Sequence, residues 1–257
     1  MDIAESSPDW ITPDWPAAPS VRALTTLRTG GHSTGPYQSL NLAAHVGDDP
    51  IKVERNRDAI QQVLKLPLEP VWLEQVHGVA VIDAADARVA RRADGGYTDK
   101  TGVACAVLTA DCLPLLLCDL GGTEVAALHG GWRGLAAGIV EQGLKRFRSP
   151  RHHLLAWLGP AISARYYEVG EEVRQAFTAY GADVQAAFAP SHTGHYYADL
   201  YAIARCQLRQ GGVRQIHGGT FCTYAERGRF YSHRRDGRGN QQTGRMASLI
   251  WIDPASA

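Results

Sequence analysis

Val125-Ala-Ala-Leu-His129-Gly-Gly-Trp-Arg133-Gly-Leu-Ala-Ala-Gly-Ile139 is the stretch that decides the fold. The run 125–128 is apolar and strand-length, Gly130-Gly131 makes a tight turn, and apolar residues then recur at helical spacing from Leu135 to Phe147. A strand leading through glycines into a helix is the unit from which α/β domains are assembled.

Working outward, short apolar runs at Val71–Leu73, Val79–Ile82, Val103–Leu108, Leu113–Cys118 and Leu154–Leu158 predict further strands. Several are apolar at successive positions, as buried central strands are. A first strand is predicted over Val21–Thr29, and a last one over Leu249–Ile252. Asp48-Asp49-Pro50 has the chemistry of a helix start and predicts a helix over Ile51–Leu64. Helices are also expected over Gly170–Tyr180 and Asp199–Gln210. With no repeat and no linker, the expectation is an irregular lead-in over 1–20, rich in proline, and one α/β domain over 21–257, its sheet covered on both faces by helices.

The chain has 257 residues, 26 Lys+Arg against 26 Asp+Glu, and 45% hydrophobic residues. That composition excludes disordered and fibrous classes. Zero formal net charge gives no general attraction to nucleic acid or anionic membrane, so a charged ligand needs a local cluster. The apolar runs are broken by Asp111 and Asp119, too short to span a bilayer. The start of the sequence lacks a charged, apolar secretory pattern, and an odd count of five cysteines argues against a disulfide framework, so a reducing, cytoplasmic location is expected.

Three strand ends carry metal-competent residues: His77 in Glu74-Gln75-Val76-His77-Gly78, Cys112 in Thr109-Ala110-Asp111-Cys112-Leu113-Pro114, and His129 in the opening stretch. One thiolate and two imidazoles suit Zn²⁺ and leave a fourth position open, which is a catalytic arrangement. Their separations of 35 and 17 residues are too loose to decide between a metal site and a buried cysteine beside satisfied histidines. Gly130-Gly131-Trp132-Arg133 adds backbone N–H groups and a guanidinium fork, the makings of an anion site. Asp111 is a candidate to move a proton or orient a ligand, with a turn-capping carboxylate as the alternative. Arg57 and Asn41 are candidates for holding substrate, with a surface arginine and a turn cap as theirs. His192 and His195 in Ser-His-Thr-Gly-His have the spacing of a metal pair but read as loop residues; Cys105, Cys118, Cys206 and Cys222 read as packing residues.

The set Gln75-Val76-His77-Gly78, Thr109-Ala110-Asp111-Cys112-Leu113-Pro114, Ala127-Leu128-His129-Gly130-Gly131-Trp132-Arg133-Gly134, Leu158-Gly159-Pro160-Ala161-Ile162 and Thr243-Gly244-Arg245-Met246-Ala247-Ser248 resembles the YfiH/laccase-domain family. Thr26-Leu27-Arg28-Thr29-Gly30-Gly31 and Ser39-Leu40-Asn41-Leu42 extend the resemblance over nearly the whole chain. It implies a single-domain three-layer α/β/α sandwich with a mixed β-sheet. It implies a metal, usually zinc, on His77, Cys112 and His129, with copper as a possible substitute. It also implies phosphorolysis of adenosine, inosine, guanosine and methylthioadenosine, with some adenosine deamination, and a role in editing peptidoglycan precursors. On this reading Cys112, Asp111 and Arg133 are the candidate catalytic residues, and Arg57, Asn41 and Arg133 the candidate substrate-binding ones. The partners are a purine nucleoside and phosphate, with no nucleic acid and no membrane, and the protein is a monomer or homodimer.

Two alternatives use the same residues. A hydrolase could cleave an amide of a cell-wall precursor, and a copper oxidase could act on phenols. The second is disfavoured because several copper centres need paired histidine motifs, and the chain has no His-x-His. The sequence departs from the family in the longer polar loop 238–242 and in His233, which stands where an aromatic residue is expected.

Overall fold

The computed structural model describes residues 8–86, 92–237 and 242–254. In chain order the strands are β1 Trp10–Ile11, β2 Val21–Thr26, β3 Val81–Asp83, β4 Gly95–Thr98, β5 Cys105–Thr109, β6 Leu113–Asp119, β7 Val125–Gly130, β8 Leu154–Leu158, β9 Glu168–Gly170, β10 Phe188–Pro190, β11 His195–Ala198, β12 Gln215–Gly218 and β13 Met246–Ile252. The helices are α1 Pro50–Val63, α2 Trp132–Ala137, α3 Ile139–Arg146, α4 Glu171–Gln175, α5 Ala182–Gln185, α6 Leu200–Gln210 and α7 His233–Asp236.

The apolar runs at 113–118, 125–128 and 154–158 become the centre of a mixed six-stranded sheet ordered β12-β8-β6-β7-β4-β3. β6 is antiparallel to both β7 and β8, while the outer pairs β12–β8 and β3–β4 are parallel. Alternation along β6 explains why its sequence shows no polar face. Leu113, Leu115 and Leu117 pack toward α2, α3 and α6, whereas Leu116 and Cys118 pack the other way. What they meet there is a second sheet, ordered β1-β2-β13-β5, which contributes Cys105, Val107, Ile250 and Ile252. The far side of that second sheet, with Ala106, Leu108, Leu249 and Trp251, is covered by α1 and the segment carrying Leu40 and Leu42.

The molecule is therefore an α/β sandwich with a mixed sheet and helices on both outer faces, as expected. Its middle layer is doubled, because two sheets lie face to face where the sequence suggested one. Each fully buried Leu or Ile in these layers contributes about 1.5–3 kcal/mol of transfer free energy, and all three layer interfaces draw on such residues.

Local chemistry sets the element ends. Asp49 caps α1 by accepting from Ile51 N at 3.0 Å, and Pro50 occupies the first turn where its missing N–H costs nothing. The helix predicted over 135–147 is two helices, α2 and α3, because Gly138 takes φ 97 and ends the first. The helix predicted over 170–180 is short: only Glu171–Gln175 is α-helical, and a 3-10 turn follows at Thr178–Tyr180. Val71–Leu73 makes only an isolated bridge from Val71 to Cys105. The strand predicted over 21–29 ends at Thr26, and the last strand begins earlier, at Met246.

Three features lie outside the expectations. β4 and β12 join the large sheet, and β9, β10 and β11 form a small antiparallel sheet. In the lead-in, Trp10–Ile11 pairs with β2. Of the polar loop 238–242, only Gln242 is among the described residues. No helix among the described residues is long and apolar enough to cross a membrane.

Candidate metal centre and its cavity

His129 is the penultimate residue of β7, and Cys112 directly precedes β6. The register Leu113↔Gly130 brings these two strand ends side by side. His77 arrives from the loop that precedes β3, with its backbone in the left-handed region at φ 60. One ligand-capable atom from each of His77, Cys112 and His129 lies within 4.8 Å of the others, and this is the single such group among the described residues. Cys112 Sγ is 3.8 Å from His77 Nε2, and the two imidazoles meet edge to face with centroids 4.8 Å apart.

Asp94, directly before β4, organises this cluster. Its carboxylate accepts from His129 Nδ1 at 2.8 Å and from the backbone N–H groups of Val76, His77 and Gly78 at 3.2, 2.9 and 2.6 Å. The His129 ring is thereby turned so that Nε2 faces Cys112 and His77, and the loop carrying His77 is pinned in its left-handed turn. Burial raises the Asp94 carboxyl, but the bonds from His129 and Gly78 outweigh it and hold the group below the ordinary carboxylate value of 3.8. Asp94 escaped the sequence reading because the strand that follows it, Gly95-Gly96-Tyr97-Thr98, has no apolar signature. A methyl at Gly95 would sit 2.7 Å from Leu128 Cδ2 and 3.2 Å from Ala127 O, so β4 packs onto β7 with little room for a side chain there.

The donor set fits a metal on three counts: one thiol and two imidazoles converge, one imidazole has its second nitrogen occupied by a buried carboxylate, and the neighbouring backbone leaves room. A Cβ on Gly131 would lie 2.7 Å from His77 Cδ2 and 3.3 Å from Cys112 Sγ. Burial raises the Cys112 thiol, yet the adjoining His129 and His77 more than reverse this and bring it down to about 6. Burial likewise lowers His129, while Cys112 and Asp94 raise it to about 9. Thiolate character is what metal ligation requires.

The cluster forms the floor of a cavity of about 470 Å³. Three guanidiniums line its walls, from Arg133, Arg234 and Arg245, together with His45, His233, Gln75 and Tyr167. Arg133 is exposed and lies over the Trp132 ring at 4.4 Å, and Arg234 lies over Tyr167 at 5.1 Å while donating to Glu168 O at 2.8 Å. Arg245 is anchored by donation to Thr243 O at 2.6 Å. Burial, then Arg245 and Arg57, lower His45, keeping it neutral near pH 7. Burial and the Cys112 charge push the Tyr167 phenol up, keeping it a donor.

The remaining predicted residues are arranged differently. Asp111, at φ 88, lines the cavity, but its carboxylate accepts from Thr223 Oγ1 at 2.6 Å, Ser232 Oγ at 3.0 Å and Arg234 N at 2.6 Å. It ties the Cys112 turn to the C-terminal segments. Arg57 does not line the cavity: it donates twice to Leu42 O, at 3.0 and 2.9 Å, and stacks on Trp72. Asn41 is fully buried and also outside the cavity, accepting from Arg245 N at 3.0 Å and donating to Asp48 Oδ2 at 2.9 Å. Both are engaged in internal hydrogen bonds away from the cavity lining, and Asn41 helps set Arg245. Of the cysteines, Cys105 and Cys118 are buried between the sheets, and Cys206 and Cys222 are half-buried.

A doubled-sheet α/β sandwich with a His-Cys-His group at the strand ends, able to bind a metal beneath an arginine-lined cavity, is the class of protein defined so far. The chain belongs to the multi-copper polyphenol oxidoreductase laccase family, whose model matches residues 22–253. It is 52% identical over 95% of its length to a purine nucleoside phosphorylase of Pseudomonas aeruginosa, of which it covers 98%. It is 50% identical over 94% of its length to the purine nucleoside phosphorylase YfiH of Escherichia coli K12, again covering 98%. The fold matches the crystal structure of a Neisseria meningitidis protein at TM-score 0.91 and 49% identity, covering 95% of this chain and 99% of that one. YlmD of Geobacillus stearothermophilus matches at TM-score 0.83 and 32% identity, covering 92% and 94%.

Proposed function

We propose that this protein is a zinc-dependent purine nucleoside phosphorylase that also deaminates adenosine. The observation that carries the reading is the juxtaposition of the His77-Cys112-His129 group with three guanidiniums across one cavity large enough for a nucleoside. Zinc bound there supplies Lewis acidity at neutral pH. Copper is a possible substitute, since it competes well for nitrogen and sulfur donors.

In phosphorolysis a phosphate oxygen forms a bond to C1′ of the ribose while the bond from C1′ to the purine nitrogen breaks, and the purine leaves with a proton. Arg133, Arg234 and Arg245 hold the phosphate through charge-assisted, bidentate bonds. The Tyr167 phenol, protonated across the neutral range, donates to the departing base, and neutral His45 accepts a proton from the incoming phosphate or water. Adenosine, inosine, guanosine and methylthioadenosine share the purine and the C1′ linkage and are the proposed substrates. The proposed setting is cytoplasmic, with editing of peptidoglycan precursors as the physiological consequence.

The test is an assay of adenosine with and without phosphate, resolving adenine, inosine and hypoxanthine, on protein of known metal content. Adenine formed only with phosphate supports phosphorolysis, and inosine formed without it supports deamination. Absence of turnover on any of the four nucleosides at full zinc occupancy overturns the proposal, as does activity that survives Cys112→Ala.

A further inference from the structure

A second cationic cavity, of about 520 Å³, opens at the opposite end of the large sheet. It is lined by Arg151, His152, Arg209, Gly212, Val213 and Arg214. Arg151 and His152 lead into β8, Arg214 leads into its parallel neighbour β12, and Arg209 lies in the last turn of α6. The metal group sits where β7 ends and β6 begins, so the length of β8 separates the two sites, roughly 16 Å at about 3.3 Å per residue.

The charges in this cavity are uncompensated. Several arginines elsewhere are paired with carboxylates: Arg148 with Asp99, Arg174 with Glu171, Arg229 with Glu226 and Arg235 with Asp236. Arg151, Arg209 and Arg214 have no carboxylate partner among the described residues, and no acidic side chain lines the cavity. Arg209 has the C-terminal dipole of α6 as a favourable neighbour; Arg151 and Arg214 have none. The Nη1 of Arg151 is buried without any acceptor, a state that ordinarily costs free energy and calls for a missing partner. Burial, unopposed by any anion, lowers the Arg151 guanidinium below its usual value. The chain passes close beside the Arg151 stem: Gly212 adopts φ 90, and a Cβ there would lie 2.9 Å from Arg151 Cβ.

We propose that this cavity is a second anion site, separate from the metal centre, that takes the phosphoryl groups of a small soluble oligophosphate such as pyrophosphate or a nucleoside di- or triphosphate. A terminal phosphoryl group carries about −1.5 to −2 at neutral pH and a bridging one about −1, so the charge of three guanidiniums is matched better by two linked phosphoryl groups than by one. Arg209 and Arg214 grip from the exposed rim and Arg151 from the wall, with the His152 ring N–H as a further donor.

The test is calorimetric titration of inorganic pyrophosphate into the metal-loaded full chain. Wild type binds saturably, Arg209→Ala/Arg214→Ala weakens binding at least tenfold, and Arg133→Ala/Arg245→Ala leaves this binding in place. Because both rim arginines are exposed, their replacement keeps the fold and the basal nucleoside turnover, which also serves as the folding control. Arg151→Gln is the second variant and weakens binding as well. Any of four outcomes overturns the proposal: no saturable binding, an affinity unchanged in the rim variant, a loss confined to the Arg133/Arg245 variant, or tighter binding of a short single-stranded oligonucleotide than of pyrophosphate.

Discussion

Asp94 Oδ1 and His129 Nδ1 lie 2.8 Å apart, with side chains 0% and 4% exposed. A carboxylate in that position fixes the tautomer of a ligand imidazole and raises its basicity. Asp94→Asn keeps the shape but replaces an acceptor of four bonds by a group that must turn its amide N–H groups toward two of the four donors. Metal affinity is expected to fall about 10- to 100-fold, read by competition with a chromophoric chelator while the far-ultraviolet circular dichroism is unchanged. Affinity equal to wild type would remove Asp94 from the site.

The thiol of Cys112, brought down to about 6 from an ordinary 9.0, titrates below neutrality in the metal-free protein. Alkylation of Cys112 by iodoacetamide in chelator-stripped protein should rise with pH and reach half its plateau near pH 6, since the thiolate is the reacting form. Zinc should protect it. A half-point near pH 9 would contradict the influence of His129 and His77 on the thiol.

Gly131 lies directly against the His77-Cys112-His129 group. Gly131→Ala places a methyl 2.7 Å from His77 Cδ2 and 3.3 Å from Cys112 Sγ, and one of the two ligands must move. Displacement on that scale costs on the order of a hundredfold in kcat/KM. Steady-state kinetics checks this, with the melting temperature as the control for global stability.

Arginine replacements separate cavity walls from struts. Arg245→Ala should raise the KM for phosphate about tenfold to a hundredfold, the value of a charge-assisted bond of about 1.5–3 kcal/mol. Arg57→Ala, which removes the bonds to Leu42 O and the stack on Trp72, should lower the melting temperature and leave that KM unchanged. If Arg57→Ala instead raised the phosphate KM with stability intact, the strut assignment would fail.

The stretch 125–139 discloses its strand, turn and first helix because glycine and apolar spacing are local signals, and the three metal-competent residues stand out for the same reason. What surrounds them does not. Asp94 directly precedes a glycine-rich strand whose fit depends on Leu128, a residue far along the chain. Arg234 and Arg245 reach the cavity from the C-terminal segments, so their role follows from packing alone. Arg57 and Asn41 look like ligand-binding residues because Arg and Asn offer the same donors to a backbone as to a substrate. The second sheet was hidden because β5 and β13 are apolar toward both neighbours, and periodicity does not say whether a helix or a sheet covers a face.

Asp111 ties the turn that carries Cys112 to Ser232 and Arg234, 121 and 123 residues further on. Contacts so distant in sequence form late, after most of the chain has been made and collapsed. Competence to bind metal thus becomes a readout of completed folding: a partly synthesised or C-terminally clipped chain keeps all three ligands and loses the clasp that holds one of them in place.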